Sequence, residues 1–396
     1  MHDFQISRRH MLAGMAGTAT LGLGGTAFAQ VPALPTSPVS LNIVDAAGNL
    51  ALTQPAFEAY RKANPKLVSR MTYTKAPAPE LPGKIKAQQD AKRIDIDAVL
   101  TGIDVLSAGV EQKLWQPLFP GLQSKLPVLK DILLPEALRM QGQAENQAVC
   151  ISYCPAGPIF EYMPDKVKKV PTTAEELLAW AKENPNKFIY ARPANSGPGR
   201  ALLMGMPYIL GDSDPQDPVK GWDKTWAFLK ELDKYIEYYP SGTTPTFKEL
   251  GDGTRSMVAS HAGWDINPRA LGIVPKEAKI FTLKGFHWVM DAHYIAIPAG
   301  LAPEKLAVLL DLISYMMTPA AQAVTYDAGY FYPGPSVKNV PLSMAPEESQ
   351  KIIKEYGRPE YDSLIADNPK EVPLPPAKLV VALRRWDEEV GARKSK

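Results

Sequence analysis

A turn between residues 194 and 200 carries groups that suit the binding of a polar ligand. Gly, Ser and Pro dominate the turn, and the apolar run that follows it predicts the start of a helix. The first N–H groups of a helix have no partner within the helix, so they attract polar or anionic groups. Ser196, Gly197 and Arg200 are therefore candidate ligand-binding residues.

Two further stretches place an indole near a carboxylate, each at the end of an apolar run: Trp264 with Asp265, and Trp288 with Asp291. An aromatic face beside a carboxylate suits a small cation or a polyol. Either pair alone is ordinary loop chemistry. Their recurrence near predicted strand and helix ends favours a ligand site, because open α/β sheets bind ligands there.

The remaining candidates follow predicted strands or lie near the second indole. Each alone is more often structural, since a carboxylate such as Asp45 or Asp104 also caps helices. We expect about half of the whole set to face a ligand cleft. These further candidates are Asp45, Asn49, Lys75, Thr101, Asp104, Thr243 and Tyr294.

The candidates leave the charge of the ligand open. Four carboxylates and two indoles favour a polyamine or another organic cation, because a cation over an indole gains about 0.5–2 kcal/mol. Lys75, Arg200 and the helix start near Ser196 would instead suit a carboxylate, sulfonate or phosphate group. We weigh the cation above the anion because the pairing of an indole with a carboxylate occurs twice.

Size and composition are those of an ordinary globular protein. The 396 residues suffice for two domains with sizeable cores, and 45% of them are apolar. The formal net charge of +2 provides no basic field for nucleic acid, so we expect no nucleic-acid partner.

Residue patterns for catalysis and cofactors are missing from the sequence. It has no HExxH or HxH pair, no GxSxG turn, no nucleotide-binding glycine fingerprint and no haem-attachment motif. Ferric iron needs oxygen ligands, and neither the doublet Tyr238–Tyr239 nor the cluster at 330–332 has an identifiable metal-binding partner. We expect no catalytic residue, no metal and no cofactor, with an exported enzyme as the rival class.

Cys150 and Cys154 are the only cysteines. In an extended strand their Cα atoms would lie about 13 Å apart, too far for a disulfide. A turn at Pro155 and Gly157 would bring them closer, so the sequence leaves a disulfide open.

The first 29 residues are typical of an export signal. The adjacent Arg8 and Arg9 precede a Gly- and Thr-rich apolar run, and Ala27, Phe28 and Ala29 form a small-x-small cleavage site. The glycines of the run make it a weak membrane-spanning helix. We therefore expect twin-arginine export, cleavage after Ala29 and a soluble periplasmic product.

Strands and helices alternate after the signal. The apolar patterns predict strands at 41–45, 67–74 and 95–100, with helices starting at Thr53 or Gln54 and at Lys84. This order implies a parallel sheet with helices on both sides.

Three phrases resemble the extracellular solute-binding proteins of ABC importers. They are the strand at 95–100 with the Leu-Trp-Gln-Pro-Leu sequence at 114–118, the helix start at 171–178, and the helix pair at 298–322 with Gly329 and Tyr330. Their order and spacing carry the resemblance over most of the mature chain. The polyamine, thiamine and iron branch is the most similar.

The resemblance implies a type II periplasmic binding protein fold, in which two open α/β sheets are joined by crossing strands. Strands at 148–153 and 293–298 fit the two crossings. Lobe 1 would comprise 30–153 and 293–340, lobe 2 would comprise 154–292, and C-terminal helices at 341–396 would pack on the lobes.

The same resemblance implies a function. The chain would capture a small organic solute between the lobes, with a polyamine-like cation favoured over an organic anion, a sugar or ferric iron. It would act as a monomer and deliver the solute to the permease and ATPase subunits of an ABC importer.

Changing Arg8 and Arg9 to Lys should hold the protein in the cytoplasm, because the paired arginines are the signal that the export route reads. Immunoblots of cytoplasmic and periplasmic fractions measure the distribution, with the unaltered chain as the control. A normal periplasmic yield of the variant would argue against the twin-arginine route.

Overall fold

The computed structural model describes residues 31–392 and residue 394, so the predicted export signal lies outside the described residues. The strands in this part of the chain are β1 (Val39–Asp45), β2 (Val68–Lys75), β3 (Ala98–Thr101), β4 (Ala148–Gly157), β5 (Ile159–Tyr162), β6 (Phe188–Ile189), β7 (Met257–Ser260), β8 (Lys279–Phe281), β9 (Trp288–Ala296) and β10 (Lys370–Glu371). The helices are α1 (Leu50–Ala63), α2 (Leu81–Asp90), α3 (Ile103–Glu111), α4 (Leu129–Ile132), α5 (Pro135–Gly142), α6 (Ala174–Glu183), α7 (Gly197–Leu210), α8 (Asp223–Asp233), α9 (Thr243–Gly251), α10 (Ile266–Ala270), α11 (Pro303–Met316), α12 (Pro319–Ala323), α13 (Glu347–Tyr356), α14 (Glu360–Asp367) and α15 (Pro376–Trp386).

The strands form two sheets, which confirms the predicted α/β fold with two open sheets. The first sheet has the order β10-β9-β3-β1-β2 with β4 also paired to β9, and the second has the order β6-β7-β5-β8. β1 is parallel to β2 and β3, as the alternation of strands and helices predicts. β9 is antiparallel to β3 and β4, so the first sheet is mixed. We call the parts built on the first and second sheets lobe 1 and lobe 2.

Two strands carry the chain between the lobes. β4 pairs with β9 in the first sheet and leads, after Pro158, directly into β5 of the second sheet. The chain returns from β8 of the second sheet into β9. All residues of both strands are buried, which explains their nearly continuous apolar runs. The lobe limits predicted at 153/154 and 292/293 fall inside these strands and remain a prediction.

The turn after β1 is held by the carboxylate of Asp45. Its oxygens accept hydrogen bonds from the N–H groups of Ala47, Asn49 and Leu50 at 2.9–3.0 Å. These bonds satisfy N–H groups at the start of α1, so the helix begins at Leu50, earlier than the predicted Thr53 or Gln54.

The C-terminal segment contains a strand as well as the predicted helices. β10 pairs with β9 at the edge of the first sheet, and two residues are too few to show a strand pattern in the sequence. α15 packs against α3 of lobe 1. Trp386, the last residue of α15, is buried against Tyr190 and Tyr239 of lobe 2. The segment therefore contacts both lobes.

Helix α11 is among the most apolar helices, and its apolar side chains are largely buried. Within the described part of the chain, no single helix is long and apolar enough to cross a membrane. One pair of helices, Pro303–Met316 with Pro319–Tyr326, is long and apolar enough when its members are taken together, but the two are bent by 71°.

Cys150 and Cys154 both lie on β4 as free, buried thiols. Burial raises the pKa of each thiol. The Cys150 thiol contacts the carbonyl of Ser152 at 3.5 Å, and the Cys154 sulfur accepts from the N–H of Ala156 at 3.2 Å. In this strand both side chains pack as small apolar groups.

A buried ion cluster joins lobe 2 to the C-terminal segment. The carboxylate of Asp265 accepts hydrogen bonds from Arg269 at 3.1 Å, from Arg358 at 2.7 Å and from the hydroxyl of Tyr361 at 2.8 Å. Burial, followed by the charge of Asp265, raises the pKa of the nearby Glu161 well above its usual value. Oε1 of Glu161 has no hydrogen-bond partner among the described residues, so ionisation of this carboxyl opposes folding.

Glu161→Gln should stabilise the protein at neutral pH. The pKa of Glu161 is raised in the folded protein. The stabilisation that the protonated side chain of Glu161 provides is therefore complete below its ordinary pKa of 4.5, and it is lost as the pH rises towards the folded pKa. The wild type should lose up to ~1.4 kcal/mol per pH unit relative to the variant in this window. Urea unfolding at pH 5, 6.5 and 8 measures the difference.

The matched control is Glu304→Gln, which changes an exposed glutamate in the first turn of α11. This variant should follow the wild-type pH profile. Parallel profiles for the wild type and Glu161→Gln would contradict the ionisation of a buried carboxyl.

Candidate functional site

A cavity of about 510 Å³ lies between the lobes. Lobe 1 lines it with the turn at 46–48 after β1, the segment at 76–80 after β2, and Asp104 after β3. Lobe 2 lines it with the start of α7, the turn at 241–244 and residues that follow β7. The parallel strands of the first sheet thus end at the cavity, where open α/β sheets bind ligands.

The start of α7 is held at the cavity by hydroxyl groups. Oγ of Ser196 accepts from the N–H of Gly199 at 3.2 Å and lies 2.8 Å from Oγ1 of Thr243. A Cβ atom on Gly197 would lie only 2.5 Å from Nε2 of His261, so glycine allows the helix to approach this imidazole. The predicted helix is present, but it begins at Gly197, within the turn rather than after it.

An ion pair connects the lobes across the cavity. Nη1 of Arg200 in lobe 2 donates to Oδ2 of Asp104 in lobe 1 at 3.0 Å. The side chains are 8% and 13% exposed, and Nε of Arg200 has no partner among the described residues. Because a buried ion pair must offset a large desolvation cost, either charge without the other would be strongly unfavourable.

Asp291 brings a second carboxylate into the cavity from β9. One of its oxygens accepts from the N–H of Ala292 at 2.9 Å, and no side chain is hydrogen-bonded to this carboxylate within the described chain. Burial raises the pKa of Asp291 to about 6, although the charge of Arg200 opposes the rise. Near neutral pH, Asp291 is therefore a desolvated carboxylate without an ionic partner in contact.

His261 lies beside the start of α7 at the end of β7. Its Nδ1 accepts a hydrogen bond from the N–H of Gly263 at 2.9 Å, which leaves the proton of the neutral ring on Nε2. Burial and then the charge of Arg200 lower the pKa of His261 to about 3, so the ring is neutral at physiological pH. His261 can donate one hydrogen bond from Nε2.

His293 lines the cavity two residues after Asp291. Its Nδ1 lies 3.0 Å from Nδ2 of Asn49, and its ring stacks on Phe331 with 3.9 Å between the ring centroids. Burial, followed by the charge of Arg200, lowers the pKa of His293 to about 3. Asn49 and Phe331 thus hold a second neutral imidazole in place.

Two aromatic residues line the cavity next to these polar groups. The rings of Trp264 and Tyr330 meet edge to face with 5.7 Å between their centroids. The hydroxyl of Tyr330 donates to the carbonyl of Ala47 at 2.9 Å, which links this edge of the cavity to the turn after β1.

Half of the fourteen residues predicted from the sequence line the cavity, and their contacts with a ligand remain a prediction. These seven residues are Asp104, Ser196, Gly197, Arg200, Thr243, Trp264 and Asp291.

The other seven lie outside the lining of the cavity: Asp45, Asn49, Lys75, Thr101, Asp265, Trp288 and Tyr294. The polar side-chain atoms of six of them form hydrogen bonds within the fold instead. Asp45 caps α1, Asn49 positions His293, and Asp265 belongs to the buried ion cluster. Thr101 is buried and donates to the carbonyl of Gly102, whereas Lys75 is exposed at the end of β2.

The two aromatic residues among these seven are core residues. Trp288 and Tyr294 are fully buried on β9. The indole N–H of Trp288 donates to the carbonyl of Leu364 at 2.9 Å. The hydroxyl of Tyr294 donates to the carbonyl of Met140 at 2.8 Å. Neither pairing of an indole with a carboxylate therefore exists in the cavity, because Asp265 and Trp288 both lie outside its lining.

Other parts of the lining are not among the residues predicted from the sequence: His261, His293, Tyr330 and the segment at 76–80. A signal was present for the histidines. Side chains two residues apart on a strand share a face, so a cavity role for Asp291 also indicates His293. His261 directly follows a strand, and other candidates were predicted because they follow strands.

Metal binding has little support within the described residues, where no group of three or more His, Cys, Asp or Glu side chains could hold an ion. The tyrosine doublet lies outside the cavity lining. The hydroxyl of Tyr239 donates to Asp233 at 2.8 Å, and that of Tyr238 to Glu249.

Two sheets joined by crossing strands, with a polar cavity between the lobes, define the class of two-lobed binding proteins. Residues 56–354 match the family of bacterial extracellular solute-binding proteins, and the chain belongs to this family. A search of the curated proteins found no match.

Solved structures of this class resemble the chain in fold. The apo ferric ion-binding protein A of Pasteurella haemolytica is 17% identical with a TM-score of 0.62, over 90% of this chain and 99% of that one. A putative spermidine/putrescine ABC transporter protein of Listeria monocytogenes is 16% identical with a TM-score of 0.62, over 89% and 99%. A periplasmic thiamin-binding protein is 16% identical with a TM-score of 0.63, over 92% and 100%. The chain therefore has the type II periplasmic binding protein fold.

Breaking the ion pair between the lobes from one side should destabilise the protein. Arg200→Met or Asp104→Leu alone should cost about 3 kcal/mol, because each leaves a largely buried charge unpaired, whereas the double variant should be closer to wild type. Urea unfolding of the four proteins gives the coupling energy.

The matched control is the exposed pair of Arg93 and Asp95, whose side chains are 78% and 47% exposed. The variants Arg93→Met and Asp95→Leu should couple by less than about 1 kcal/mol. Additive effects of the two changes at Arg200 and Asp104 would show that the pair contributes no coupling.

Proposed function

We propose that this chain is the solute-binding protein of an ABC importer and that it captures a small organic solute in the cavity between its lobes. Twin-arginine export and cleavage after Ala29 would place it in the periplasm. We further propose that β4 and β9 act as the hinge near the predicted limits 153/154 and 292/293. The cavity has walls from both lobes, which supports this function. A ligand that contacts both walls favours the arrangement in which the lobes are closed.

The ligand we propose is an organic amine, and the unpaired carboxylate of Asp291 carries this proposal. Arg200 already has its countercharge in Asp104, whereas Asp291 has no side-chain partner among the described residues. A buried charge without a partner is costly, so an ammonium group at Asp291 would relieve that cost. Trp264 and Tyr330 add aromatic surface, which also favours a cation.

The residues that support a cationic ligand in the structure thus differ from those that supported it in the sequence. Asp45, Asp265 and Trp288 no longer contribute, because all three lie outside the cavity lining. The polyamine-like cation predicted from the sequence belongs to the proposed class of amines.

An organic anion is the second candidate. The start of α7, the N–H of His261 and the unpartnered Nε of Arg200 favour an acidic group in the cavity. Such a ligand would need to compete with Asp104 for Arg200. We rank it below an amine for this reason.

Binding without catalysis is the favoured chemistry. Within the described chain, Oγ of Ser196 contacts Thr243 and Gly199 rather than a histidine, so it has no general base. Recovery of a chemically changed solute after incubation would indicate an enzyme instead.

Asp291→Asn should weaken the binding of primary amines by about 10- to 150-fold, the equivalent of ~1.5–3 kcal/mol for a hydrogen bond to a charged group. In the free protein the pKa of Asp291 is about 6, and an ammonium group favours its ionised form. Wild-type affinity should therefore be full above about pH 6 and fall about tenfold per pH unit below it. Isothermal titration of a panel of amines at pH 7.5 and 5 measures both effects.

The matched control is Glu80→Gln, which removes an exposed carboxylate at the rim of the same cavity and should change affinity little. A parallel panel of carboxylates and phosphate esters tests the second candidate. If Arg200→Gln abolishes binding of an acidic solute while Asp291→Asn leaves it intact, the amine proposal is wrong.

A further inference from the structure

A smaller chamber of about 150 Å³ adjoins the main cavity. The two share Ala78, Pro79 and Asp104 in their linings, so the chamber borders the cavity at the edge formed by lobe 1. It lies between α2, α3 and α15, with Ala194 of lobe 2 at its border. We call it the side chamber.

The side chamber is apolar. Val105 and Ala108 of α3 form one wall, and Val380 and Leu383 of α15 form another. The latter two are three residues apart, so they share one face of the helix, and both are only half-buried. Among the described residues, Asp104 is the only charged residue in the lining.

Asp104 is not available to a ligand in the side chamber. Its Oδ2 accepts from Arg200 at 3.0 Å, and its Oδ1 accepts from the N–H of Val105 at 2.9 Å. An ammonium group in the chamber would therefore lose its water without finding a free countercharge, whereas an apolar group would gain from burial.

The wall formed by α15 is firmly attached to lobe 2. The indole N–H of Trp386 donates to the hydroxyl of Tyr190 at 3.1 Å, and the next residue, Asp387, accepts from Arg192 at 2.6 Å. Since α15 also packs against α3 of lobe 1, the walls formed by α3 and α15 are in direct contact with each other. A group in the chamber would contact both lobes.

We propose that the side chamber binds an apolar arm of the solute whose ammonium group binds at Asp291. This inference rests on the proposed amine function. An apolar cavity of about 150 Å³ is large enough for a benzene ring. The solute class is therefore a primary amine with one alkyl or aryl arm of about six carbons, rather than a polyamine with a charge at each end.

The test is isothermal titration of the wild type with n-alkylamines from ethylamine to hexylamine, with phenethylamine and with 1,4-diaminobutane. Affinity should rise about fourfold per methylene, the equivalent of ~0.8 kcal/mol, as the arm fills the side chamber. Pentylamine should bind at least tenfold more tightly than 1,4-diaminobutane, which replaces its terminal methyl group with a second charge.

Ala108→Leu should fill the side chamber from α3. It should weaken hexylamine and phenethylamine binding at least tenfold and leave ethylamine binding unchanged. The matched control is Ala87→Leu on an exposed position of α2. Leu383→Ala provides a second variant, which should lower the gain per methylene, and thermal unfolding checks that every variant is folded.

The outcomes separate the two proposals. If amines bind at Asp291 but affinity does not rise with arm length, or rises equally in Ala108→Leu, the side-chamber inference is wrong and the amine proposal stands. If no amine binds, both are wrong. Tighter binding of 1,4-diaminobutane than of pentylamine would also overturn the inference.

Discussion

The antiparallel pairing of β4 with β9 is the interaction on which the rest of the structure depends. Both strands pass between the sheets and are buried over their whole length, so their backbone groups must satisfy each other. This pairing fixes where Asp291 and His293 enter the cavity.

Three buried carboxylates show how partners decide function. Asp265 has two arginines and a tyrosine hydroxyl around it, and it serves to join the C-terminal segment to lobe 2. Asp104 has one arginine, which comes from the other lobe. Asp291 has no such partner among the described residues, and burial raises its pKa to about 6. The cost of an unpaired buried charge is reduced when a ligand supplies the partner, which is why we assign recognition to Asp291.

Much of the site depends on residues that do not line it. Asn49 holds the ring of His293, and Asp45 fixes the turn that accepts the hydroxyl of Tyr330. Asp45 and Asn49 are candidates in the sequence because polar residues after strands gather at one edge of a parallel sheet. That rule identifies the neighbourhood of a site, but it cannot separate the side chains that support the cavity from those that face it.

The sequence by itself determined the α/β class, the parallel strands β1 to β3 and the presence of α7, because each of these follows from local pattern. Seven of the fourteen candidate residues that it indicated line the cavity. Only the tertiary structure decided that Asp265 is paired and Asp291 is not. Two partners of Asp265, Arg358 and Tyr361, lie 93 and 96 residues further along the chain. Only tertiary packing likewise brought α15 against α3 and so made the side chamber. Pairing and burial are set by contacts between distant segments, which no local pattern records.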